Sequence, residues 1–319
     1  SADRTYALDD PEESDRAQEQ RPEVVHAYFS LPMREERAIL PRAMSRTIAL
    51  VGPGCVGQTL ARALRRRGYR IGAVAARSPR KAQLAVKFIG SGRPVNALSS
   101  QLLAADTLLL SVPDTQIAAV GKQLARLGSQ NWRGKMVLHT SGSRTAGELA
   151  SLARAGAHCG SFHPMFPFPH PLRMFPRGVF FGVEGDPAAV RCARELARAL
   201  GGVPIRIAAR QKVLYHAAGA LASGHLLTLA DLAARVLTRA GVPSRQARRA
   251  LLPLIRSTLE AYAQLGAPAW TGPLARGDTA TVSKHLAALA RMPPYFLQTY
   301  QVLGRAGVAL YRKTQARRT

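Results

Sequence analysis

The stretch "ALVGPGCVGQTLARAL" (49–64) constrains this chain more than any other part of it. An apolar run ends in glycine, the first of three with the spacing Gly-x-Gly-x-x-Gly, and a helical periodicity begins at once. Such a pattern predicts a buried strand, a tight turn and a helix that packs back on the strand. The same alternation continues for some 150 residues. Strands are expected at 46–52, 69–76, 106–114, 135–142, 157–165, 178–185 and 203–208, and helices at 56–68, 78–90, 115–128, 145–156 and 186–202. Ser78 is the expected N-cap of the second helix, with Pro79 in its first position. Alternating strands and helices predict an α/β fold with a doubly wound parallel sheet.

Beyond residue 208 the strands stop. Residues 209–241 form one long helical pattern, and further helical patterns occupy 244–266, 279–292 and 293–314. The chain therefore reads as an α/β domain (46–208) followed by an all-helical domain (209–319). Residues 1–45 hold ten of the nineteen acidic residues against six arginines. They are expected to form a flexible acidic arm, with a short helix near 23–31.

Composition narrows the function classes. Hydrophobic residues make up 47% of the 319, which suits folded domains with real cores. No uninterrupted apolar stretch reaches the length of a membrane span, and residues 1–23 lack the apolar segment of a signal peptide. The three cysteines, Cys55, Cys159 and Cys192, are widely spaced. They point to a reducing, cytoplasmic setting without a disulfide frame, and no cluster has the spacing of a metal site. Residues 46–319 carry 39 basic and nine acidic residues, a net charge of +30. The basic residues are scattered over helices without interleaved aromatics. They read as a solvated surface that draws in anions, and not as a nucleic-acid face.

The glycine turn gains meaning from its context. Gly52 permits the turn, Gly54 leaves room for a pyrophosphate, and Gly57 lets helix and strand approach. The backbone N–H groups of Cys55, Val56 and Gly57 then open the helix toward the phosphates. A carboxylate about 20 residues on would mark NAD, but Val74, Ala75, Ala76, Arg77 and Ser78 occupy that region. Arg77 and Ser78 suit a 2′-phosphate, so the expected cofactor is NADP(H). Val112 and Pro113, in "SVPD" (111–114), are expected beneath the nicotinamide ribose.

Four motifs occur in order after this loop: "HTSG" (139–142), "GSFHPM" (160–165), "KVLYHAAGALAS" (212–223) and "TGPLARGD" (271–278). With the loop, they resemble the bacterial family that joins a Rossmann-like domain to a C-terminal domain of unknown function, DUF2520. The resemblance covers about residues 46–300. It implies an NADP-dependent oxidoreductase related in architecture to the 6-phosphogluconate, β-hydroxyacid and prephenate dehydrogenases. One departure is "SGH" (223–225), where family members often carry Asn, so the roles of Gly224 and His225 are open.

Hydride transfer needs a proton donor and an anchor for the substrate's charge. Lys212 and His216 are four apart and share one helix face. "Lys-x-x-x-His" resembles the Lys-x-x-x-Asn of β-hydroxyacid dehydrogenases, which implies that Lys212 moves the proton while His216 orients substrate. Ser141 and Gly142 resemble the substrate-binding serine-glycine segment of the same superfamily. His163 resembles the histidine of the prephenate dehydrogenase "HPM" segment, and as a bare residue could equally brace a loop. Arg276 could clamp a carboxylate or bridge to Asp278. The expected substrate is small and anionic: an oxo acid, a hydroxy acid or a cyclic imine, held between the two domains. The alternative is a non-catalytic NADP-binding sensor. The apolar helix at 217–237 exposes hydrophobic residues around most of its girth, which predicts a homodimer through the helical domain.

Overall fold

A computed structural model describes residues 46–95, 97–128 and 132–315, with side chains described as far as residue 310. The expected arm at 1–45 lies outside the described residues. The chain divides into two compact units, one ending at His216 and the other beginning at Ala217.

The first unit alternates as its sequence pattern predicts. Its elements run β1 (Thr47–Val51), α1 (Cys55–Arg66), β2 (Arg70–Ala75), α2 (Pro79–Ile89), β3 (Arg93–Val95), β4 (Thr107–Leu110), α3 (Ile117–Ala125), β5 (Met136–His139), α4 (Ala150–Arg154), β6 (His158–Pro164), β7 (Phe180–Gly185), α5 (Pro187–Ala199) and β8 (Val203–Arg206). Ser78 caps α2 by accepting from the Lys81 N–H at 3.4 Å, and Gly90 ends the helix in the left-handed region. The eight strands form one sheet in the order β3-β2-β1-β4-β5-β6-β7-β8.

Neighbouring strands are parallel except for β6 and β7, which pair antiparallel. The sheet is thus mostly parallel, as expected, and the cause of its one antiparallel pair is local. A parallel neighbour requires a crossover, usually a helix. Residues 165–179, "MFPFPHPLRMFPRGV", hold four prolines and cannot supply one. β3 was not expected at all. It is three residues long with Pro94 at its centre, a residue that only an edge strand tolerates.

Alternation along β1 sends Ile48 and Leu50 to one face and Ala49 and Val51 to the other. The first pair joins Leu60, Leu64, Ile89, Phe162 and Phe181. The second joins Leu102, Leu110, Trp132 and Leu149. The sheet thus carries a helical layer on each face, the doubly wound arrangement. The connection reverses between β1 and β4, which opens a crevice at the carboxyl ends of these two strands.

A short turn (Ala209–Gln211) leads into α6 (Lys212–Ala220), which crosses from the first unit into the second. A π-helical turn, Leu221–His225, follows, and it contains the "SGH" departure. Then come α7 (Leu226–Arg239), α8 (Ser244–Leu265), α9 (Pro273–Arg276), α10 (Thr279–Leu289) and α11 (Pro294–Gln315).

In the second unit many of the described large apolar side chains are exposed, Leu227 at 72% among them, more are half-buried, and Ala234, Ala247, Leu289 and Phe296 are buried. The helical stretch Ala209–Arg239 is long and apolar enough to cross a bilayer by length and composition alone. The sequence criterion of an uninterrupted apolar run passes over it because Ser, Gly, His and Asp are interspersed.

Candidate active site

The crevice is walled by two loops that touch. Gly52, after β1, has φ +79°, and a Cβ there would lie 2.6 Å from Val112 Cγ1 and 2.7 Å from the Ser111 carbonyl oxygen. Only glycine fits both the dihedral and the space. Gly57 is equally confined, since its Cβ would sit 2.9 Å from Ser111 Cβ and 3.0 Å from Leu50 Cδ1.

Gly54 differs. No heavy atom lies within 4 Å of the place its Cβ would occupy. Neither fold nor φ demands glycine there, so the open space beside it is what a closely approaching group would use. Gly54 is also the N-cap of α1 and has no side-chain cap. The first-turn N–H groups of Cys55, Val56 and Gly57 have no partner within the helix. An uncapped helix start behind an empty glycine face fits a pyrophosphate.

At the end of β2, Arg77 is exposed and makes no hydrogen bond or ion pair among the described residues. Beside it, Ser78 is half-buried. Val112 and Pro113 follow β4 at the crevice.

The proton-bearing groups gather at the ends of β5 and β6. Lys212, the first residue of α6, is only 1% exposed. Its Nζ donates to the Ser141 carbonyl at 3.0 Å and to Ser161 Oγ at 2.6 Å. Burial lowers the amine's pKa to about 8, against the pull of Glu184 and Asp114. Ser141 Oγ donates to Asp114 Oδ2 at 2.7 Å, and Ser143 Oγ reaches the same oxygen at 2.8 Å. Asp114 therefore ties the loop after β4 to the loop after β5. Glu184 accepts the Ala146 N–H at 2.8 Å.

His139, at the end of β5, accepts the Ser141 N–H at Nδ1 (3.2 Å) and donates from Nε2 to the Thr145 carbonyl (3.1 Å). Burial, then the Lys212 charge, lowers its pKa to about 4.

His163 lies near the end of β6. Its Nδ1 is 2.9 Å from the Tyr215 hydroxyl. The hydroxyl is also 3.5 Å from the His163 carbonyl oxygen; where it donates to Nδ1 instead, the proton of the neutral ring sits on Nε2. Nε2 has no hydrogen-bond partner among the described residues, and it faces Gly142, where a Cβ would fall 2.9 Å from it and 2.7 Å from His216 Cδ2. Gly142 is thus the gap into which both rings fit. The His163 and His216 centroids are 6.2 Å apart. Burial and Lys212 also bring the pKa of His163 to about 4. Tyr215 lies against Gly182, and burial pushes its hydroxyl up to about 12.

The structure thus brings Ser141, Gly142, His163, Lys212 and His216 into one cluster of the first unit. Lys212 and Ser141 form its buried layer, while His163 and His216 form its outer one. Arg276, in the second unit, ends the short α9 and is exposed. Asp278 does not pair with it as an ion pair but caps α10 through the Thr281 N–H at 2.9 Å. Sequence reasoning did not single out Asp114, His139, Ser161, Glu184 or Tyr215. Four of these lie inside quoted motifs, "SVPD", "HTSG", "GSFHPM" and "KVLYHAAGALAS", but nothing in a motif says that an aspartate after one strand will hold serines after the next.

Residues 35–164 match the family of Rossmann-like domains, and residues 179–306 match the domain of unknown function DUF2520. The chain carries a Rossmann-like domain followed by a DUF2520 domain. The DUF2520 match begins at β7, so it takes in the last two strands of the sheet as well as most of the helical unit. No curated protein matches the sequence.

Among solved structures, BF3122 from Bacteroides fragilis is 23% identical with a TM-score of 0.67, over 83% of this chain and 98% of that one. An imine reductase from a Pseudomonas species is 20% identical with a TM-score of 0.59, over 82% and 93%. A reductive aminase from Aspergillus terreus, solved with NADPH and ethyl-5-oxohexanoate, is 16% identical with a TM-score of 0.62, over 83% and 94%. At these identities the likeness establishes a shared fold.

Proposed function

We propose that this chain is an NADP-dependent oxidoreductase that moves a hydride between NADP(H) and a small anionic substrate: an oxo acid, a hydroxy acid or a cyclic imine. The observation that carries the reading is the open face of Gly54 at an uncapped helix start, one strand away from an unpaired Arg77. In this reading residues 46–208 hold the cofactor, and 209–319 serve substrate binding and dimerisation.

Gly52, Gly54, Cys55, Val56 and Gly57 would hold the pyrophosphate, Arg77 and Ser78 the 2′-phosphate, and Val112 with Pro113 the ribose beside the nicotinamide. The cofactor supplies the hydride; the chain supplies charge and a proton. Neutral His163 presents Nε2–H to the substrate's developing oxyanion or amine, its tautomer fixed by Tyr215. Lys212 stands one layer behind, where its charge adds to burial in keeping His163 neutral and favours an anion. Ser141, held by Asp114, and Gly142 shape the turn against which substrate rests. His216 and Arg276 are the remaining candidates for orienting it. The three free cysteines suit a cytoplasmic setting.

A second reading, a non-catalytic NADP sensor, draws on one fact: Lys212 and Ser141 spend their polar groups on internal partners. The two readings separate in one experiment. NADPH oxidation is followed over a panel of oxo acids and cyclic imines. Turnover of any panel member supports the oxidoreductase. Tight NADPH binding without turnover supports the sensor, and failure to bind either nicotinamide dinucleotide overturns both.

A further inference from the structure

A second cavity lies away from this site. It measures about 490 Å³ and is lined by the last turn of α1, the end of α5 and the proline-rich segment after β6. Phe166 and Phe175 form its apolar floor, continuous with a stack of rings. Phe175 packs on Phe181 at 5.6 Å, and Phe181 packs on Phe162 at 4.6 Å in the core. Arg66, Arg67, Arg173 and Arg177 ring the mouth, all exposed. None of the four guanidiniums has an acidic partner among the described residues, and no acidic residue lines the cavity. It is not the cofactor site, because the twelve residues of α1 separate Arg66 from the glycine loop by about 18 Å.

Four unpaired guanidiniums around an aromatic floor call for an anion, and the chain holds one. Asp9, Asp10, Glu12, Glu13 and Asp15 place five carboxylates in seven residues without a base among them. The described chain begins at Arg46, which pairs with Glu195 of α5 at 3.1 Å. Glu195 also hydrogen-bonds Tyr69, two residues past Arg67, and lies five residues before the pocket's Leu200. The acidic segment is therefore tethered beside the pocket. The thirty residues between Asp15 and Arg46 could span about 100 Å at full extension, far more than this short gap.

We propose that the acidic segment 9–15 docks on the arginine-ringed pocket of its own chain. Single exposed ion pairs are weak. Here five carboxylates face four guanidiniums within about one Debye length, and the tether holds them at about millimolar effective concentration. The docked arm would offset the strong local charge and cover the aromatic floor. This holds whatever the crevice at Gly54 binds.

The test uses the full chain with the photo-crosslinking residue p-benzoylphenylalanine in place of Met174, a pocket residue that is 61% exposed. Illumination should join position 174 to residues 1–34 of the same chain, at monomer mass. Reversing the arm with Asp9→Lys, Asp10→Lys, Glu12→Lys and Glu13→Lys should cut the yield at least fivefold. Adding Arg66→Glu, Arg67→Glu and Arg177→Glu should restore it. An unchanged melting temperature in both the arm and the arginine variants separates loss of yield from loss of fold. Cross-links to a second copy, cross-links to residues 217–319, absence of cross-linking, or a yield indifferent to charge reversal would each overturn the proposal.

Discussion

Substitution of Lys212 by methionine tests the buried layer of the site through stability alone. The amine is 1% exposed, and its pKa falls from 10.5 to about 8. A depressed lysine penalises the folded state wherever the amine is charged in both states. That penalty is about 3.4 kcal/mol, at 1.36 kcal/mol per unit. Below pH 8 the native and unfolded chains both hold the proton, and the whole penalty applies.

Between pH 8 and 10.5 the unfolded chain binds more protons than the native one, so stability rises with pH. Integrating over this window, the native protein regains about 1.4 kcal/mol by pH 9 and about 2.6 kcal/mol by pH 10. Lys212→Met is unbranched, one atom shorter and uncharged. Its loss of the bonds to Ser141 and Ser161 shifts stability by a constant. The difference in unfolding free energy between parent and variant should therefore climb by these amounts from pH 7 to pH 10. Urea titrations read it through Trp132, which is buried in the first unit, in a Trp270→Phe background. A flat difference would mean an ordinary, solvated amine. A falling difference would mean an ion-paired amine with a raised pKa. Either result would refute the buried-cation account.

Four further expectations follow from the geometry. NADPH should bind at least tenfold more tightly than NADH, about 1.4 kcal/mol, and Arg77→Ala should erase most of that preference in calorimetry. Gly54→Ala should leave the melting temperature unchanged yet weaken NADPH binding at least tenfold, whereas Gly52→Ala should destabilise the fold because its Cβ meets Val112 and Ser111; equal effects on stability would remove the cradle argument. With a substrate from the screen, His163→Ala should lower turnover about 100-fold, the scale of a lost proton donor, with NADPH affinity unchanged. Light scattering at micromolar concentration should give twice 34.3 kDa, because the helical unit leaves many large apolar side chains exposed, Leu221, Leu227 and Leu310 among them; a monomer mass would refute the dimer.

Much of the fold was legible in the sequence because it rests on local signals. Period and punctuation located seven of the eight strands, and Ser78 with Pro79 marked a helix start that the structure keeps. What escaped was set by tertiary pairing. β3 is too short to show a period, and the direction of β7 depends on what residues 165–179 cannot form. The site divides in the same way. Gly52 and Gly57 announce themselves because backbone geometry requires glycine there. Gly142 does not, since its need arises from two histidine rings, one from a strand and one from a helix 70 residues on. Lys212 was visible as one face of a helix with His216, but its depth was not. Helical spacing says which residues share a face and nothing about what the face meets.

That depth decides the protonation state of the whole cluster. Burial alone would leave each imidazole poorly able to hold a proton, and the enclosed ammonium adds to the effect at His139 and His163. Both fall from 6.5 to about 4, while Lys212 keeps its proton up to about pH 8. Between about pH 4 and pH 8 these three groups therefore hold one charge, on the amine. A neutral His163 can then donate a hydrogen bond from Nε2 without repelling a cationic imine, and the charge behind it still attracts a carboxylate. Had Lys212 been exposed, water would screen its charge, and burial would be left as the main cause holding His163 below its ordinary pKa. Removal of the amine should thus raise the pKa of His163, an effect that nitrogen chemical shifts of the imidazole in Lys212→Met would record. If the ring titrated where it does in the parent, burial alone would govern it, and the charge relation at the centre of the site would fail.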